Sequence, residues 1–153
     1  MLKFFWLAPL AALPLTGPPE MAGYEVTARA GLDAHTSLGH FDVNSIVLDI
    51  RATGEVRGEA TFAADGHSHR NYPDVVVMVP RVGSVEVVGT TAQIEGDGTF
   101  QGNPVKVLIR VTDGGPRGVG DQLHIQCMDS RGRIVFHAHG PTISGDIAIR
   151  KVL

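Results

Sequence analysis

The chain has 153 residues, a formal net charge of −3, 43% hydrophobic and 19% charged residues, which is enough apolar material for one core and too little length for two. Its 13 lysines and arginines are scattered and never form a run, which argues against nucleic acid or an anionic membrane surface as a partner. Cys127 is the sole cysteine, so no internal disulfide forms and packing has to supply the stability.

Residues 1–16 place Lys3 ahead of an apolar run from Phe4 to Leu15, too short to span a bilayer as a helix and interrupted by Pro9 and Pro14. This pattern reads as a secretory signal peptide over residues 1–22, with Ala22 as the last residue removed, followed by a single β-domain over 23–153. The expected location is secreted, periplasmic or the cell envelope, with no stable membrane insertion once the signal is gone.

Beyond Gly23, apolar and polar residues alternate with period two, and Gly, Asn, Asp or Pro interrupt the alternation about every ten residues. The expected fold is all-β, an antiparallel meander of about nine or ten strands forming a small barrel or a sandwich. Tyr24, Val26, Ala28 and Ala30 share one face of the first strand. In the first hairpin, Ile46, Leu48, Ile50 and Ala52 oppose Phe62, Ala60, Gly58 and Val56, which turns Asp49, Arg51, Arg57 and Glu59 to the other side.

The run VVVMV at 75–79 and the cluster Val85, Val87 and Val88 read as short separate strands. From Ala92 to Phe100 parity favours one continuous strand over a turn at Asp97-Gly98. The turn then falls at Gln101 to Pro104, with Phe100, Gly98, Gly96 and Ile94 opposite Val105, Val107, Ile109 and Val111. Inward Gly96 and Gly98 leave room for close backbone approach, a device for coiling a sheet into a barrel. In the third hairpin, Leu123, Ile125 and Cys127 face Ala138, Phe136 and Ile134 across a turn at Asp129 to Gly132, which buries the Cys127 thiol. That register sets His124 opposite His137 and Gln122 opposite His139 on the outer face. A final strand surrounds Ile147 and Ile149.

The runs GEVRGEATF (54–62), VEVVGTTAQIEGDGTFQG (85–102), VTDGG (111–115), Gly120-Asp121 and GDIAI (145–149) together resemble an uncharacterised all-β domain of bacterial secreted and cell-surface proteins. The match covers roughly residues 42–150. The resemblance implies an extracellular all-β fold without established catalytic residues, and no site residue carries over from it.

Seven histidines are many for this length, and four form the pairs His67-Ser68-His69 and His137-Ala138-His139. On a strand, residues i and i+2 share a face about 6–7 Å apart, a spacing from which two imidazoles converge on one ion. The candidate metal ligands are therefore His124, His137, His139, His67 and His69, and zinc or copper the matching ions. The loop from Asp113 to Asp121 is bracketed by acids but lacks the alternating acids of calcium loops, so turn chemistry explains it better. No catalytic group is assigned. The expected role is non-catalytic, binding or structural, in the envelope or extracellular space, toward an extracellular ligand or protein that the sequence does not identify. The alternative is a metal-binding β-barrel protein or enzyme built on the His-x-His pairs.

Overall fold

The computed structural model describes residues 23–40, 44–64, 74–115 and 120–152. The expected signal peptide at 1–22, and the pair His67 and His69, lie outside the described residues. Ten strands form one antiparallel sheet: β1 (Gly23–Leu32), β2 (His35–Thr36), β3 (Gly39–His40), β4 (Asn44–Ala52), β5 (Val56–Ala64), β6 (Val75–Val88), β7 (Thr91–Phe100), β8 (Asn103–Thr112), β9 (Gln122–Met128) and β10 (Ile134–Val152).

The sheet closes on itself, because β1 pairs with β4 on one edge and with β10 on the other. Short β2 continues β1 along β10, with Asp33 N donating to Pro141 O at 3.0 Å between them. It pairs in turn with β3, His35 opposite His40 and Thr36 opposite Gly39. The result is an eight-stranded up-and-down barrel with a small hairpin, β2–β3, extending one rim. Of the two expected architectures, barrel and sandwich, the structure is the barrel.

Alternation fills its interior. Inward Val26, Ile46, Leu48, Ile50, Val77, Ile94, Ile109, Ile125 and Ile147 are each at most 2% exposed, and the loosest member of the core, Val105, reaches only 7%. Phe136 stacks on Phe100 at a ring-centroid distance of 4.9 Å and meets Phe62 at 6.0 Å, so three rings plug one cross-section. An eight-stranded barrel is narrow enough for side chains alone to fill. Complete burial of apolar side chains at about 1.5–3 kcal/mol each is what holds the closed form, and Cys127, 0% exposed, packs there as a small apolar group.

The first hairpin has the register that parity predicts, Ile46 opposite Phe62 and Ile50 opposite Gly58. In the second, β7 is continuous as expected, but the pairing is displaced by two residues: Gly98 meets Val105 and Ile94 meets Ile109. The turn is the two-residue Gln101-Gly102, with φ of 52° and 80°. Both values suit the type I′ geometry that matches strand twist. Gln101 holds this unusual conformation because its side chain is anchored on β6: Oε1 accepts from Val76 N at 3.0 Å, and Nε2 donates to Asp74 O at 2.7 Å.

Two further expectations are corrected. Residues 75–88 form one strand instead of two, carried past Pro80 by register shifts on either side of Val82. Such bulges absorb the extra residues and a proline that cannot donate to the ladder. Likewise the expected last strand is the second half of β10, which pairs first with β9 and then with β1. A bulge at Ile143, left 66% exposed, interrupts its seam with β1 between the pairs Gly31–Ser144 and Leu32–Thr142.

Candidate functional site

Outward positions carry the polar chemistry. Where β9, β10, β2 and β3 lie side by side, the register aligns His124 with His139, His139 with His35, and His35 with His40. On the far side of β9, His124 pairs with Arg110 of β8. One row across five strands thus reads Arg110, His124, His139, His35, His40. The ring centroids of His124 and His139 are 5.9 Å apart, as are those of His139 and His35.

The expected pairing of His124 with His137 is therefore corrected. The third hairpin is displaced by two residues, so His137 faces Gln126, and Gln122 faces Pro141. A shift of two preserves which side each residue occupies, so the three histidines still point outward while their partners change. Turn chemistry sets the shift. Asp129 N donates to Arg133 O at 2.9 Å, making a wider loop than expected, and a further irregularity falls between Ile134 and Phe136. The Asp129 carboxylate seals this loop by accepting from the amides of Arg131 and Arg133, and the Arg133 amide foremost holds its carboxyl below the ordinary range.

His137 belongs to the same outer face as a near neighbour of the row. Its amide donates to Ser37 Oγ at 3.2 Å, and its carbonyl accepts from Ser37 N at 2.9 Å, which docks the β2–β3 turn on β10. His124 and His137 are half-buried, whereas His139 is exposed. Burial first, then the neighbouring His139, His137 and Arg110, push the pKa of His124 down to about 4, so it is neutral at pH 7. Beside His124 and His139 opens a surface hollow of about 420 Å³, lined also by Arg110, Thr112 and Gln122.

His35 was not among the sequence candidates. Nothing local marks it, because its place in the row depends on closure of the barrel, which brings residues 35 and 139 together from opposite ends of the chain. Of the five sequence candidates, the structure brings together His124 and His139 with His137 on the adjacent row.

A second polar constellation sits at the rim where the β8–β9 loop meets β10. Among the described residues, Asp113, Asp121 and Asp146 are the three acids whose carboxylate oxygens all lie within 4.8 Å of one another. Two of these carboxylates are engaged with the backbone. Asp121, 0% exposed, accepts from Gly114 N through Oδ1 and from Ile147 N through Oδ2, each at 2.8 Å, and Asp113 Oδ2 accepts from Ile149 N at 3.2 Å. The Gly-Asp pair at 120–121 is thus a clamp that fixes the loop to β10, in keeping with the turn reading of the sequence.

Cys127 has no role at the surface. Burial raises its thiol pKa to about 12, which leaves no thiolate for nucleophilic or metal chemistry at neutral pH. Compared with known proteins, the chain matches no family model, no curated protein and no solved structure.

Proposed function

We propose that this chain is an exported bacterial β-barrel domain with a non-catalytic binding or structural role in the envelope or extracellular space. The observation that carries the reading is the division of chemistry between the two sides of the wall. The inner side is aliphatic and aromatic and closely filled, so the barrel is not organised as a carrier with a ligand chamber. The outer side holds most of the charged groups, including Glu25 between Arg51 and Arg150, and the cross-strand pair Asp49 and Glu59. That polarity is the reverse of a membrane-spanning barrel, whose outer band is apolar, and supports a domain that works in water.

Contacts with an extracellular ligand or protein then belong to the outer wall and its loops. The leader pattern at residues 1–22 supports export. The test is expression of the full chain in a bacterial host, followed by fractionation and intact-mass measurement. Recovery outside the cytoplasm, with residues 1–22 removed, is the expected result. A chain of full mass retained in the cytoplasm contradicts the reading.

A further inference from the structure

We propose that His35, His124 and His139 form a binding site for one divalent transition-metal ion of the zinc or copper type on the outer wall of the barrel. The inference stands on the register of β9, β10 and β2 and does not depend on export. His139 occupies the central strand, and each of its cross-strand neighbours is an imidazole.

A shared ion lies within reach of side-chain rotation, since an imidazole can place a metal about 6 Å from its own Cα. With metal–nitrogen bonds of about 2.0–2.1 Å, two imidazoles on one tetrahedral ion hold their ring centroids about 5 Å apart. Both separations from His139 are 5.9 Å, but His124 and His35 stand on strands two apart, about 9.5 Å at the backbone, so both flanking rings swing several ångströms over His139 to share the ion. The rings are inclined to one another, at 35° and 61°, and do not yet converge; rotation about the side-chain torsions turns a nitrogen of each toward a common point above His139. That point is open to solvent, as His35 and His139 are both exposed, leaving a coordination position for water or an anionic ligand.

Donor chemistry decides the class of ion. Three nitrogen donors favour copper and zinc over calcium and magnesium, which take oxygen ligands. Arg110, next to His124 in the row, opposes a cation and sets a limit on affinity that removal of its charge relieves. His137 faces Gln126 on the neighbouring row and is not a ligand in this assignment.

The experiment uses untagged protein stripped with a chelator, titrated calorimetrically with zinc chloride and, separately, copper sulfate in a non-coordinating buffer. One ion per chain is expected. His139→Gln, His35→Gln and His124→Gln should each weaken binding about tenfold or more, since each removes one nitrogen donor. His137→Gln should stay within about twofold, and Arg110→Gln should tighten binding about threefold. Far-ultraviolet circular dichroism and the melting temperature establish that each variant is folded. Should His139→Gln fail to fold, the paired His35→Gln and His124→Gln variants carry the test. The proposal is overturned if the unsubstituted chain shows no saturable binding. It is equally overturned if His137→Gln costs as much as His139→Gln, or if binding disappears only when His67 and His69 are replaced.

Discussion

His124 lies directly across the β9–β10 pair from His139, their ring centroids 5.9 Å apart, and burial keeps its imidazole neutral well below its ordinary range. A consequence for stability follows. Between the ordinary pKa of 6.5 and the folded value of about 4, the unfolded chain binds a proton at His124 that the folded chain refuses. Stability should therefore fall as pH drops through that window and level off below it. His124 is half-buried, so solvent screening reduces its share to roughly 1–2 kcal/mol. Because His35, His137 and His139 share this face, the informative quantity is a difference. Urea midpoints measured at pH 7, 5.5 and 4 with chelator present should decline more for the unsubstituted protein than for His124→Gln. Parallel declines would refute the assignment.

Asp121 is the more costly group to lose. Its buried carboxylate accepts from two backbone amides on different segments, Gly114 and Ile147. Hydrogen bonds to a charged acceptor contribute about 1.5–3 kcal/mol each, and removal strands both donors. Asp121→Ala should lower the unfolding free energy by roughly 3 kcal/mol or more. Asp121→Asn, which keeps one acceptor oxygen, should fall between that variant and the parent. A loss under about 1 kcal/mol for Asp121→Ala in urea titration would mean that the clamp does not hold the loop.

Inward glycines let β6 and β7 approach. A Cβ at Gly98 would collide with the carbonyl oxygen of Met78, which is backbone and cannot swing aside. At Gly83 the nearest atom is Glu95 O at 3.5 Å, an ordinary contact. Gly98→Ala should cost about 2–3 kcal/mol, whereas Gly83→Ala should stay within about 0.5 kcal/mol. Equal melting temperatures for the two variants would remove the close approach from the account.

Cys127 supplies a probe of the filled interior. With the thiol buried and its pKa raised to about 12, an aromatic disulfide reagent at pH 8 should react with it only as fast as the barrel opens. In denaturant it should react at once and stoichiometrically. Rapid modification of the folded protein would contradict the burial of this strand face.

Much of this architecture was legible in the sequence, for a definite physical reason. The period of two that places Ile46, Ile94 and Ile125 inside is a local property, so the sidedness of every hairpin could be read without knowing the fold. Parity, however, is blind to a displacement of two. Phe100 opposite Val105 and Phe100 opposite Asn103 differ in register but not in sidedness, and only the Gln101-Gly102 turn, anchored on β6, selects the second. The same blindness misplaced the partner of His124. His35 was hidden more deeply, since its neighbour His139 is more than a hundred residues away along the chain and reaches it only through closure of the barrel. Val75 to Val88 looked like two strands because its alternation changes phase at the bulges around Pro80 and Gly83.

The central claim is that one closed wall sets imidazoles of β9, β10 and β2 side by side on its outer surface. Nuclear Overhauser spectroscopy on isotopically labelled protein tests it most directly. Cross-strand contacts should link β1 to both β4 and β10, and the backbone of His139 to those of both His124 and His35. Backbone contacts pairing His124 with His137 instead, or a β1 edge without any contact to β10, would contradict it.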